Sequence, residues 1–409
     1  MFETGLALRV FQLCADLGID PGGRAGSSVH LRAVAEALIH RGHQVFSFVS
    51  GPRNGPASFP APLALLSSKN DVLKAADETG RPDVVYERYT VVPRGLLGGV
   101  AAQWHDPRKG LADGADSYTA LSGLEAAREI GCAYVLEVNS PMIQECVRHR
   151  GLEASEKHFA DEGALMSGAD AVVAVSEPMR KYVAGVRGTD RGTVTIHNGF
   201  HPELFPAAAS LNAPVPVLAF CGNPRPWHGL DRIPLLLAAL RQRGLGPVAR
   251  IIGGPARPGD SLAQQEFARL EEQASKYSVR KQIDLVGSVS QQEGARLLAG
   301  ATVAVAPFPP EPFFYFSPIK LFEYMAAGLP VVSVDQGDIA QLVGEAGILV
   351  APGDDMAFAA AVEKLLRDEP FRRQKGAIAR ERAFGNFTWD HTSAKLERLF
   401  HELVASRAR

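Results

Sequence analysis

The chain alternates short, almost wholly apolar runs with longer stretches in which apolar residues recur every three or four positions. Leu6 to Cys14 is the first such run. A turn-rich segment, Asp20-Pro21-Gly22-Gly23-Arg24-Ala25-Gly26-Ser27-Ser28, follows it, and Val29, Val34, Leu38 and Ile39 then fall at helix-compatible spacing. Gly42 closes this predicted helix as a left-handed cap would, and Val45 to Val49 forms a second short strand. Further runs lie at Val84 to Tyr86, Ala133 to Val138, Ala171 to Val175, and Val194 to Ile196 before an Asn198-Gly199 turn. Strand-and-helix units of this kind predict a parallel sheet covered on both faces.

From Phe200 to Pro216 the periodicity is lost and Pro202, Pro206, Pro214 and Pro216 accumulate, a composition suited to a linker. A second series of runs follows at Val217 to Phe220, Val248 to Gly253, Ile283 to Val286, Thr302 to Ala306, Val331 to Val334 and Ile348 to Val350. The predicted fold class is therefore α/β, with two Rossmann-like domains and a cleft between them. Residues 1–200 form the first domain, 201–216 the linker and 217–385 the second domain, while 386–409 form a C-terminal helix that packs back on the first. A length of 409 residues suits two domains better than one core. The polar, aperiodic stretch Gln103 to Ser117 is predicted to be a surface loop.

Composition removes several function classes. A formal net charge of −2 supplies none of the concentrated positive charge that a dedicated nucleic-acid binder needs. Cys14, Cys132, Cys146 and Cys221 lack CxxC spacing, so they predict buried thiols in a reducing compartment, with neither a zinc site nor a disulfide framework. No basic region with a cleavage site opens the chain, and no run reaches the roughly 18 apolar residues of a membrane span. The expectation is a cytoplasmic protein without a transmembrane segment, with peripheral membrane contact left open.

In open parallel sheets, ligands bind beyond the carboxyl ends of the strands. The first such place is the loop holding Gly23, Gly26 and Ser27, where glycine lets an anion approach the exposed N–H groups of a helix start; its other reading is a tight turn needed for folding. The spacing is not GxGxxG and no acid closes the second strand, which argues against a dehydrogenase. The second place is Gly222-Asn223-Pro224-Arg225-Pro226-Trp227-His228-Gly229. There Arg225 can grip phosphate bidentately, Trp227 can stiffen the loop and His228 can add a donor; the other reading of Arg225 is a solvated charge. The third and strongest is Phe316 to Val332. Ser317 and Pro318 make a good helix start, hence an anion site, and Lys320 and Glu323 are neighbours on the helix surface. The pair reads either as a surface salt bridge or as a phosphate cation beside a carboxylate that accepts ribose hydroxyls.

Ser317 to Val332 resembles the donor-binding signature of GT-B glycosyltransferases, particularly the retaining group called family 4. The resemblance covers nearly the whole chain. Gly22 to Val45 is similar to that family's glycine loop with its RGHxV ending, Ala169 to Glu177 to its ADxVVxVS element, and Val194 to Gly199 to its V-x-x-x-NG hinge. Gly253-Gly254-Pro255 and Val286-Gly287 resemble its loops near the nucleotide base. The resemblance implies that Glu323 binds the donor ribose, and that Ser317, Pro318 and Ile319 offer backbone contacts to sugar or diphosphate. Gly222, Gly253, Gly254, Val286 and His228 complete the implied donor set. Two departures stand out: Tyr315 replaces the first of the family's two glutamates, and Asn223 and His228 stand near its usual Arg and Lys. Arg225 and Lys320 are expected to compensate, as in relatives with a PWHG loop and an SPxKLFEYMA helix.

On the acceptor side, alternation puts Glu137 and Asn139 on one face of a strand end, and a charge there is costly unless exposed or paired. The segment resembles the subgroup's EVNxP element, with Asn139 where many relatives have a catalytic-site histidine. Glu145 is placed to orient an acceptor. Glu87-Arg88 resembles a YERY element and reads equally as an internal ion pair; His30 reads as a helix-face residue. The reaction implied is transfer of a sugar from a UDP- or GDP-linked donor to an acceptor hydroxyl, with retention. In it, cations hold the leaving diphosphate and no protein nucleophile is needed. Asp354-Asp355 resembles a PGD turn, so no metal and no cofactor are expected. A nucleotide-sugar epimerase and a catalytically degenerate nucleotide-binding homologue are the alternatives.

Overall fold

The computed structural model describes residues 6–16, 18–51, 58–90, 119–150, 153–208, 214–255 and 259–408. The predicted loop Gln103 to Ser117 lies outside these residues. The chain divides into two compact units. One comprises residues 1–23, 27–197 and 389–409, and the other 24–26 and 198–388.

The first unit carries strands β1 (Arg9–Cys14), β2 (Gln44–Val49), β3 (Leu63–Leu65), β4 (Val84–Arg88), β5 (Ala133–Val138), β6 (Ala171–Ala174) and β7 (Thr193–Thr195). They form one parallel sheet in the order β3-β2-β1-β4-β5-β6-β7. The central strands β5 and β6 are buried throughout, as their apolar runs require when helices cover both faces. The C-terminal helix Trp389–Arg407 belongs to this unit. Its Phe400 meets Tyr86 of β4 edge-on at 5.6 Å, and Arg41 pairs with Asp390 and Glu397. Two features differ from expectation. β3 is absent from the predicted strands: it has only three residues, follows Pro60 and Pro62 and exposes Leu65, so the short apolar stretch Leu63 to Leu66 does not stand out as a strand. Glu87 and Arg88 end β4 itself, although the sequence suggests that they follow it.

The second unit carries β8 (Val217–Cys221), β9 (Val248–Ile252), β10 (Ile283–Gly287), β11 (Val303–Ala306), β12 (Val331–Val334) and β13 (Gly347–Val350), again all parallel, in the order β10-β9-β8-β11-β12-β13. Phe200 and Phe205, inside the stretch expected to be a bare linker, are buried in its core. Side chains set the helix starts: Asp260, Ser290, Asp354 and Asp368 each accept a backbone N–H from the first turn that follows.

The two sheets share one logic. The order reverses between β1 and β4 in the first and between β8 and β11 in the second, and the loops beyond those carboxyl ends form the crevice in which such sheets bind ligands. The segments after β8 and β11 hold Gly222 to Gly229 and Phe313 to Ser317.

Candidate functional site

In the second unit, backbone packing comes first. After β8 the chain turns at Gly222 (φ 135°), whose N–H donates to Ile252 O at 2.8 Å; after β9 it turns at Gly253 (φ 137°), whose N–H donates to Gly287 O at 2.9 Å. A Cβ on Gly253 would lie 2.2 Å from Gly222 O, and one on Gly222 would lie 3.0 Å from Lys320 Nζ. The two glycines let both loops crowd the end of the helix Ile319–Ala326.

That helix starts differently from expectation. Its N-cap is Pro318, no side chain caps it, and its first turn holds no acid. Ser317, expected to cap it, accepts at Oγ from Asn198 N (3.1 Å), while Asn198 Nδ2 donates to Ser317 O (2.8 Å). The serine ties down the preceding loop, and the positive end of the helix is left for a ligand anion.

Lys320 and Glu323 do not form the surface salt bridge that was one reading of their spacing. Lys320 is 8% exposed, and its Nζ is buried without a hydrogen-bond partner. The ammonium lies 4.6 Å from the centroid of Phe220 and 5.6 Å from that of Phe308. Burial pushes its pKa down to about 8, against the opposing pull of Cys221 and Glu323. Burial also pushes Glu323 up to about 7, with Lys320 opposing, and this half-buried carboxylate accepts no hydrogen bond from the described residues. The next residue, Tyr324, accepts the Cys221 N–H at 2.6 Å and fixes the helix to the end of β8.

Arg225 is not the free cation expected. Its Nη2 pairs with buried Asp260 at 2.9 Å and its Nη1 donates to Pro224 O at 2.7 Å, so its charge is met within the protein. Trp227 stacks on Phe316 (6.2 Å, 15° between planes), and Tyr315 lies 4.3 Å from Phe316. His228 Nδ1 lies 2.7 Å from Asn223 O, and burial, then Lys320, holds its pKa well below the ordinary range. Gly254 packs within reach of Ser288, and Val286 is a half-buried member of β10.

The first unit gathers the acceptor-side candidates but pairs most of them. Glu137 lies 2.9 Å from His30 Nε2, both buried; burial would raise this carboxyl, but His30 with Arg88 and Tyr86 holds it below the usual range. His30 lies on the buried face of the helix Gly26–His40, beside Glu137 and edge-on to Trp389. Glu87 is buried and accepts from Tyr134 OH rather than pairing with Arg88, whose Nη1 has no hydrogen-bond partner. Asn139 Oδ1, just beyond β5, is also buried without one. Glu145 sits half-buried in the first turn of the helix Met142–Arg150. Arg32 donates to Pro21 O and Gly23 O and so fixes the glycine loop, while Gly26 and Ser27 open the helix Gly26–His40.

One cluster escaped the sequence because its members are far apart in it. His43, Glu397 and His401 bring potential ligand atoms within 4.8 Å of one another. His43 Nδ1 accepts from Leu8 N at 3.2 Å, which leaves the ring proton on Nε2 facing Glu397 at 3.3 Å, a donor rather than a metal-ligating lone pair. Asp354 and Asp355 are also engaged: the first caps a helix and the second pairs with Arg232.

Two Rossmann-like α/β domains, one with an unpaired cation and an uncapped helix start at its topological switch point, define the class. Residues 24–204 match the model described as Glycosyltransferase Family 4, and residues 215–368 match that of Glycosyl transferases group 1. D-inositol 3-phosphate glycosyltransferase of Corynebacterium diphtheriae is 26% identical over 380 residues, 88% of this chain and 81% of that protein. Glycogen synthase of Mycobacterium tuberculosis is 28% identical over 270 residues, 64% of this chain and 62% of that protein, so the match spans less than two thirds of that relative. The structure of Anabaena Alr3699/HepE in complex with UDP superposes with a TM-score of 0.68 at 17% identity, covering 97% of this chain and 100% of that one. The same protein is also known in complex with UDP-glucose. Between them the two models match residues 24–204 and 215–368, and the two parallel-sheet Rossmann-like domains have the GT-B fold of these neighbours.

Proposed function

We propose that this protein transfers a sugar from a UDP- or GDP-linked donor to an acceptor hydroxyl, with retention of configuration and without a metal ion. One observation carries the reading: the ammonium of Lys320 is buried without a hydrogen-bond partner beside the uncapped start of its own helix. A buried, unpaired charge is costly, and it is kept where a ligand supplies the counter-charge. A diphosphate fits that demand. Glu323, one turn along the same helix, then accepts hydroxyls of the ribose, since an ionised carboxylate offers acceptor oxygens and no donor.

Transfer breaks the bond between the sugar's anomeric carbon and the diphosphate oxygen, and negative charge grows on the leaving group. Lys320 and the helix N–H groups are fixed before that charge develops, so they stabilise it without reorganising. Retention is read as attack from the same face, the departing phosphate oxygen taking the acceptor's proton, so that no protein nucleophile is called for. With Arg225 committed to Asp260, its work is to shape the loop, and Lys320 is the main cation. Asn139, with its unpartnered Oδ1, is the group proposed to meet the acceptor. The activities of the relatives and the UDP and UDP-glucose complexes of HepE support a nucleotide-sugar donor. A thermal-shift panel of nucleotide diphosphates and nucleotide sugars tests the reading, because a ligand that binds only the folded state raises its apparent stability. At least one UDP- or GDP-linked compound should raise the melting temperature of the wild type and not that of Glu323→Ala. An unshifted wild type across the panel would sink the proposal.

A further inference from the structure

We propose that His228 recognises a hydroxyl of the donor's sugar through a bare Nε2 lone pair, rather than gripping phosphate as a cation. The inference rests on the donor site just described and says what a third polar side chain does there, beside Lys320 and Glu323. Three observations lead to it.

The first is the tautomer. His228 Nδ1 lies 2.7 Å from Asn223 O, and a carbonyl oxygen can only accept. The ring proton is therefore on Nδ1, and Nε2 carries the lone pair. The second is access. Nε2 makes no hydrogen bond to the described residues, is absent from the buried polar atoms sealed from solvent, and belongs to a half-buried ring. The third is the neighbouring cation. One Phe308 ring receives the His228 ring edge-on at 6.3 Å and the Lys320 ammonium at 5.6 Å. Burial and this cation disfavour a second proton on the imidazole.

A neutral acceptor and a phosphate oxygen would present lone pairs to each other. A hydroxyl group fits instead, because it donates. In a nucleotide sugar, the ribose hydroxyls are already assigned to Glu323 and the diphosphate to Lys320 and the helix start. His228 and Lys320 share the Phe308 ring, and with ribose and diphosphate taken, the donor hydroxyls left for His228 are those of the sugar.

The test is calorimetric titration of the wild type, His228→Phe and His228→Gln with UDP, UDP-glucose, GDP and GDP-mannose. Phenylalanine keeps the ring packing and removes the acceptor; glutamine returns an oxygen near the position of Nε2. For the nucleotide sugar that the wild type binds, His228→Phe should weaken binding roughly fivefold or more, and the matching free nucleotide by less than twofold. His228→Gln should recover to within about threefold. Equal losses for nucleotide and nucleotide sugar would overturn the inference, as would no loss for either. Nitrogen-15 NMR of the wild type is a check that survives a misfolded variant: at pH 7 His228 should show a protonated Nδ1 and a bare Nε2, and an imidazolium or Nε2–H form would refute the proposal. Should the wild type bind neither nucleotide sugar while the free nucleotides bind, the sugar contact fails and the nucleotide site stands; no binding by any of the four removes the proposed function itself.

Discussion

The two domains share a strand order and treat the polar residues at their strand ends in opposite ways. In the first, Glu137 faces His30, Glu87 holds Tyr134, and Glu162 accepts from both Tyr89 and Tyr182. In the second, Lys320 Nζ, Glu323 and His228 Nε2 make no hydrogen bonds to the described residues. A carboxylate satisfied internally stabilises the fold and tells little about a ligand. A cation left unsatisfied is a cost to the free protein, and the chemistry missing around it describes what should arrive. Among the described residues the first domain also leaves buried polar atoms without hydrogen-bond partners, Asn139 Oδ1, Arg88 Nη1 and the Tyr86 hydroxyl near its strand ends, but none is a buried ammonium, and they say correspondingly little about the acceptor.

Lys320→Met breaks the contrast most sharply. It should weaken nucleotide binding by about two orders of magnitude, since a charged hydrogen-bonding partner of the diphosphate is gone. It should also stabilise the ligand-free protein by about 1 kcal/mol or more, because an unpaired buried charge is replaced by an apolar side chain of similar length. Calorimetric titration and denaturant unfolding check the two halves, and a destabilised variant with intact binding would erase the distinction between the domains. Glu323→Gln should come next, with about a tenfold loss in affinity for the same nucleotide. In the first domain the sign reverses: His30→Ala leaves the buried Glu137 carboxylate without its nearest partner and should cost about 3 kcal/mol by urea unfolding. A neutral result there would mean that Arg88 and Tyr86 suffice.

The smallest effect is a dependence on pH. Glu323 titrates in the folded state at about 7, above its ordinary 4.5, so the folded protein holds the extra proton and stability falls as pH rises from 4.5 towards 7. Lys320 titrates at about 8, below its ordinary 10.5, so the unfolded chain holds the extra proton and stability rises from 8 towards 10.5. The contribution of the pair should therefore be least favourable near pH 7 to 8. Subtracting the profile of a Lys320→Met, Glu323→Gln double variant from that of the wild type should reveal the dip, and a flat difference would refute it.

The architecture was legible because both sheets are parallel and buried, so runs such as Val217 to Phe220 and Val331 to Val334 stand out without alternation. β3 was not, since the apolar stretch Leu63 to Leu66 is short, follows two prolines and yields an edge strand of only three residues. The candidate site was legible as a set of residues but not as a set of pairings. Spacing placed Lys320 beside Glu323, yet only packing against Phe220 and Phe308 shows that the ammonium is buried. Nothing in the sequence says that Arg225 is held by Asp260, 35 residues further on, or that Asn198 occupies the oxygen of Ser317.

The apposition of Gly222 and Gly253 bears on how this protein could be altered. Neither position has room for a side chain, since an added Cβ would meet backbone or the lysine itself. A library aimed at a new donor would waste its members on those two codons. Variation is better aimed at Trp227 and at Phe313 to Phe316, whose rings pack on one another.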